Sequence, residues 1–185
     1  MRATVDTSEV GAYTPEVKSW LALTPDSELL PVARANGITH FLPIPQGGTV
    51  TGQSGLMATV GWVYEEMLRH SPVALHLFWP SMRITPAADD AKKQAKQRDE
   101  RLKKIDDFFE EARAYAKSQS APGHEGVPAW EVMLPWVRGE TPLIIHANSR
   151  LQIESAHDWS AKRGWAPIIA GARDAWQIAD RLAKY

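Results

Sequence analysis

The stretch that most constrains this chain is Pro142-Leu143-Ile144-Ile145-His146-Ala147-Asn148-Ser149. A short, β-branched apolar run bounded by turn formers reads as a strand covered on both faces, the habit of parallel sheets. Parallel strands need a crossover, and Arg150 to Arg163 supplies a helix, with Ile153, Ala156 and Ser160 on one side and Gly164 as its cap. Ala166-Pro167-Ile168-Ile169-Ala170 is the next strand, ending at Gly171. His146 therefore stands at the C-terminal end of a buried strand, where open α/β sheets and barrels carry their chemistry.

The same alternation runs through the rest of the chain. Thr24-Pro25-Asp26-Ser27-Glu28 opens a helix near Ser27 that keeps Pro31 in its first turn. Leu29, Leu30, Val32 and Ala33 form its apolar face, and Asn36-Gly37 ends it. Ile38 to Ile44 is a strand, and Pro45 to Gly55 is a Gly-rich loop of the kind that brings backbone close to a ligand. A long turn with several positive-φ positions explains that loop equally well. It lacks the Gly-Lys-Ser/Thr ending of a phosphate loop and does not run into a helix with a basic residue, which argues against nucleotide binding. Leu56 to Val60 suits a short strand and Trp62 to Arg69 a short helix, and Pro72 to Phe78 is a second clear buried strand closed by Trp79-Pro80. His76 inside that strand reads as a core histidine rather than a ligand.

Ala87 to Ser118 has the period of a long helix, with Leu102, Ile105, Phe108, Phe109, Ala112 and Tyr115 as its buried stripe. Asp89 to Arg101 is a solvated charged face with i,i+4 pairs such as Glu100–Lys104. Gln119 to Gly126, containing His124, is a linker, and Pro128 to Val137 is a short helix. Asp174 to Lys184 closes the chain as a helix with Trp176, Ala179, Leu182 and Ala183 inward, and Asp174 suits its N-cap. Strand–helix alternation with short joints predicts an α/β fold of parallel-sheet βα repeats, with four or five strands in one domain over 1–185.

Composition narrows the function. The 185 residues carry a net charge of −1, which gives no footprint for nucleic acid or an anionic membrane surface. The absence of Cys excludes disulfides, thiolate zinc sites and a cysteine nucleophile. No apolar run reaches the roughly 20 residues of a spanning helix. Met1 to Asp6 is no signal peptide, so a cytoplasmic location is the default. Eight Trp predict packed aromatic layers or a subunit interface.

Several stretches together resemble the amidohydrolase superfamily, specifically the imidazolonepropionase-like amidohydrolases. These are Gly37 to His40 with Pro43 to Gly48, Gly52 to Gly55, Trp62 with Glu65 to Met67, Pro72 to His76 with Trp79 to Met82, Arg138 to Glu140 with Pro142 to Ala147, and Gly171 with Asp174 to Trp176. Each is weak alone, but they follow the family's order over nearly the whole chain. The resemblance implies a partial TIM barrel of the metal-dependent hydrolase type, without the first and last strands and without a separate β-sandwich domain. A full barrel takes about 250 residues.

The family binds a divalent metal, zinc or iron, and hydrolyses C–N bonds in cyclic amides or related small-molecule substrates. Its first-strand His-x-His pair has no counterpart here, and its eighth-strand aspartate would fall beyond Tyr185. His146 matches the fifth-strand ligand. The catalytic position that follows falls near Ser149, and the sixth-strand His falls at about Gly171. Gly47, Gly48, Gln53 and Ser54 match the loop after the second strand and are the candidate substrate-binding residues. His157 and Asp158 lie on the following helix and do not face the strand end.

One His does not hold zinc, because a hydrolytic site needs three or more ligands. The chain alone is thus expected to bind no metal and to be inactive. The competing expectation is a non-catalytic α/β domain stabilised by oligomerisation, most simply a homodimer, because a partial barrel has two exposed strand edges.

Overall fold

The computed structural model describes residues 11–85, 90–119 and 126–184. Its elements are α1 (Leu29–Ala35), β1 (His40–Phe41), β2 (Val50–Ala58), α2 (Tyr64–Met67), β3 (Leu68–Phe78), α3 (Ala91–Ser118), α4 (Pro128–Glu131), α5 (Leu134–Val137), β4 (Leu143–Ala147), α6 (Arg150–Ala161), β5 (Ile168–Gly171) and α7 (Ala179–Leu182). Two 3-10 turns, Ser19–Ala22 and Ala175–Ile178, complete them. The fold is mixed α/β around five strands in the order β1-β2-β3-β4-β5. Contacts divide the chain into two compact units, 1–76 and 77–185, with the boundary inside β3. Among the described residues no helix is long and apolar enough to cross a membrane.

The first unit departs most from the sequence expectation. The Gly-rich stretch is not a loop along most of its length. It is β2, nine residues of which eight are fully buried. The cause is a distant upstream segment, residues 11–18, which runs beside β2 with parallel bridges at Tyr13–Val50 and Lys18–Gln53. Val50 N donates to Ala12 O at 3.0 Å, Thr14 N to Val50 O at 2.8 Å and Gln53 N to Val17 O at 2.7 Å.

Glycine is what allows this approach. A Cβ at residue 48 would stand 2.7 Å from Gly11 O, and one at Gly52 2.5 Å from Val17 O. Gly52 also has φ +121°, a region closed to L side chains. The glycines therefore bring backbone close to the chain's own backbone, a purpose that composition does not distinguish from ligand binding.

β1 is shorter than expected and pairs antiparallel with β2, His40 opposite Ala58. A sheet parallel throughout is thus not what forms at this edge. α2 is a single turn, after which β3 starts at once. Trp20, Met57 and Met67 form the apolar core of this unit, with Leu30, Phe41 and Leu68 packed on it. α1 keeps Pro31 in its first turn and ends at Gly37 with φ +85°, as its sequence requires. Its apolar face is only partly covered: Leu30 packs on the core, whereas Leu29 is 75% and Val32 59% exposed.

The second unit follows its pattern more closely. β4 and β5 pair in parallel, Ile144 with Ile168 through Ala147 with Gly171, and α6 crosses between them. β4 is covered unequally, however. Leu143, Ile145 and Ala147 are buried, whereas Ile144 and His146 on the alternate face are half-buried.

α3 buries Ile105, Phe109 and Ala112 and leaves its first half in water. Its i,i+4 ion pairs among the described residues are Lys96–Glu100 at 3.9 Å and Lys103–Asp107 at 2.6 Å, in place of Glu100–Lys104. The core rings interlock, Trp159 lying 5.3, 5.1 and 5.5 Å from Trp79, Phe109 and Trp165. Asp106 joins α3 to α6 by accepting from Trp159 Nε1 at 2.6 Å and Arg163 Nη2 at 2.5 Å.

The expected helix over 128–137 is two single turns, α4 and α5. At the end of the chain Ile178 is buried, and Trp176, expected inward, is 75% exposed. His124 and residues 87–89 of the expected long helix lie outside the described residues.

Gly52→Ala tests the backbone packing of β2. The positive φ and the contact with Val17 together predict a loss of about 2–4 kcal/mol, read from the midpoint of urea unfolding.

Candidate functional site

The C-terminal ends of β4 and β5, with the residues that follow β3, form one cluster in the second unit. Trp79 N donates to His146 O at 3.1 Å, continuing the sheet pairing past Phe78. The Phe78 and His146 rings stack with centroids 4.1 Å apart and planes 6° from parallel. The turn after β5 folds back onto the turn after β4: Ala172 N donates to Ala147 O at 2.9 Å and Asp174 N to Asn148 O at 3.0 Å. Two successive residues pass through the left-handed region there, Gly171 at φ +83° and Ala172 at φ +47°. For Ala172 that conformation costs about 1–2 kcal/mol, and such strain collects at sites where backbone direction matters.

Ser149 caps α6. Its hydroxyl accepts from Gln152 N, and Gln152 Oε1 accepts from Ser149 N at 3.1 Å, a reciprocal capping box. The same Gln152 donates through Nε2 to Trp79 O at 3.1 Å and to Pro80 O at 3.4 Å. One side chain thus fixes the start of α6 against the end of β3. Sequence reasoning missed this role of Gln152, although Ser149-x-x-Gln152 is a readable capping signature. It also missed Phe78 and Asn148, for which the sequence carries no local signal.

Of the residues singled out from the sequence, the structure brings His146, Ser149, Gly171 and Asp174 together. A side chain at 171 is disfavoured by its backbone and would displace Asn148. Its Cβ would run into the Asn148 side-chain oxygen, and φ +83° excludes most L residues. Asp174 precedes the 3-10 turn but makes no side-chain cap; its carboxylate accepts instead from Arg173 Nε at 3.3 Å. His157 and Asp158 are paired on α6 at 3.6 Å, and Asp158 also accepts from Arg181. His76 is fully buried at the end of the first unit.

Gly47, Gly48, Gln53 and Ser54 also belong to the first unit. Gly47 turns with φ +109°, and Gly48 lies against Gly11 and Ala12. Gln53 and Ser54 are buried within β2, where Gln53 Nε2 donates to Pro15 O at 3.0 Å.

The donor set around His146 does not fit a metal centre. Hydrolytic zinc takes three protein ligands and an open position. Among the described residues no group of three His, Cys, Asp or Glu stands close enough to hold a metal ion. The neighbours of His146 that the resemblance singled out, for a catalytic group and for a ligand, are a capping serine and a glycine pressed on Asn148.

Burial has a second effect on His146. Loss of water disfavours the imidazolium and lowers its pKa from the ordinary value. An NMR titration of the ring protons should therefore place its midpoint below about 6.5. As pH falls, the unfolded chain takes up this proton first. His146 leaves stability unchanged with pH above about 6.5 and reduces it as pH drops from there to the native midpoint. His146→Phe should flatten that part of the stability–pH curve.

No family model matches the sequence, and no curated protein matches it. Among solved structures, the chain is similar to an amidohydrolase from Thermotoga maritima MSB8, with a TM-score of 0.72 and 20% identity. The match covers 97% of this chain and 49% of that one, so the chain spans about half the length of the solved amidohydrolase. What this likeness shows is the fold, which this chain shares with about half of that protein.

Proposed function

We propose that this chain is a partial (β/α) barrel of the amidohydrolase type, most like the imidazolonepropionase-like branch, and that by itself it is a scaffold rather than a catalyst. In this reading 1–185 forms one domain, and His146 is the one position of a metal-dependent site that keeps a ligand-type side chain. The observation that carries it is the structural likeness over 97% of the chain, combined with His146 at the end of β4. The family-type reaction, metal-dependent hydrolysis of C–N bonds in cyclic amides, would then belong to an assembly in which other groups complete the site. Gly47, Gly48, Gln53 and Ser54 would face substrate only in such an assembly.

Metal analysis with an activity assay tests this directly. The chain, expressed in zinc- and iron-supplemented medium and freed of loosely bound ions, should retain far less than one equivalent of metal. It should not hydrolyse a panel of five- and six-membered cyclic amides. One equivalent of zinc or iron lost on His146→Ala, with turnover abolished by the same change, would overturn the scaffold reading.

A second reading has its own observation. β5 ends the strand order, and its first residue, Ile168, is 53% exposed, with Trp176 75% exposed nearby in sequence. An uncovered apolar edge is a template for strand pairing. We infer a homodimer built on this edge. Light scattering should give twice the chain mass, and Ile168→Lys should return the monomer. A monomeric parent protein would sink this reading without touching the first.

A further inference from the structure

A groove in the first unit lies apart from every candidate site residue. Its walls are α1 and the stretch that follows β1, and its volume is about 600 Å³, within the range of small-molecule sites. None of His146, Gly47, Gly48, Gln53 or Ser54 lines it.

The walls are aliphatic. Leu23, Leu29, Leu30, Ile38 and Ile44 line the groove with a single ring, Phe41. Leu29, Ile38 and Ile44 are 75%, 48% and 40% exposed, so apolar surface faces water at one place. α1 buries none of its residues, which leaves that wall free to adjust to what enters.

The buried polar groups of the lining ask nothing of a ligand. Ser19 Oγ donates to Pro43 O at 2.7 Å, and Thr59 Oγ1 donates to Ile38 O at 3.1 Å. Among the described residues, no lining side chain has a buried N or O atom that lacks a hydrogen bond. A ligand rich in hydroxyls would give up its bonds to water and regain few here. An aromatic ligand would find one ring to pair with. A flexible aliphatic chain gains with every methylene it buries.

Charge then distinguishes the ends of such a chain. Lys18 is the one charged residue that lines the groove, and no carboxylate does. Its ammonium has no ion-pair or hydrogen-bond partner among the described residues. Lys18 is exposed, so it orients a ligand more than it holds one. A terminal carboxylate meets a counter-charge there, and a terminal ammonium meets none.

We propose that this groove binds an aliphatic monocarboxylate, its chain against Leu23, Leu30 and Phe41 and its carboxylate toward Lys18. The site is independent of the amidohydrolase reading, because it shares no residue with the cluster around His146. Decanoate below its micellar concentration serves as the probe. Hexanoate and octanoate shorten the chain, decan-1-ol removes the charge and decylammonium reverses it.

In ¹H–¹⁵N spectra of the full chain, decanoate should shift the Leu30, Ile38 and Phe41 amides to saturation. Affinity should rise roughly two- to fourfold with each added methylene from hexanoate to decanoate. Lys18→Gln should weaken decanoate roughly two- to fivefold and leave decan-1-ol unchanged. Ala33→Phe places a ring in the groove from a helix with no buried residue, and should weaken both roughly tenfold. If Ala33→Phe does not fold, Lys18→Gln and the chain series decide. Absence of a saturable shift, or decylammonium binding as tightly as decanoate, would overturn the proposal. So would shifts of the same amides with protein concentration alone, which would give the groove to a second copy of the chain.

Discussion

The geometry around His146 depends on one amide. Gln152 spends its oxygen on the Ser149 N–H and its nitrogen on the carbonyls of Trp79 and Pro80. Both ends of an uncharged group are used, so the link costs little desolvation and is insensitive to pH. It joins the first turn of α6, the turn after β4 and the exit of β3. The Trp79 N–H to His146 carbonyl bond and the Phe78–His146 stack both lie within that frame. Behind it, Asp106 performs a comparable task with charge, gathering Trp159 and Arg163 onto one oxygen so that α6 stays on α3.

How much of this was legible in the sequence depends on how far apart the interacting residues lie. β4, α6 and β5 were readable because their signals are local: a β-branched run, a cap, a helical period and a closing glycine. The stripe on α3 was readable for the same reason. β2 was not, because its glycines answer to a segment some thirty-five residues upstream, as Gly48 answers to Gly11 and Gly52 to Val17. Without that partner, a run of Gly, Thr, Gln and Ser has the composition of a loop. Trp176 failed differently. A helical period was assumed where a 3-10 turn forms, and the change of pitch carries the indole to the surface.

The candidate site divides along the same line. The position of His146 followed from strand pattern alone, and its fold context is shared with a solved amidohydrolase over nearly the whole chain. What surrounds the histidine did not follow, because it is set by backbone conformation. Ser149 is committed to a cap, Asp174 to Arg173, and Gly171 to a left-handed turn held by bonds from Ala172 and Asp174 to the β4 exit. Each group beside His146 is thus already engaged in holding a turn or a helix start.

The contact between Gly171 and Asn148 couples the two positions. A liganding side chain cannot enter at residue 171 while Asn148 occupies that space, and shrinking residue 148 alone leaves the φ of residue 171 where only glycine is comfortable. A side chain at 171 asks for two things at once, a displaced Asn148 and a re-threaded turn. The exchangeable unit at this turn is therefore the pair, and substitutions at 148 and 171 should be non-additive.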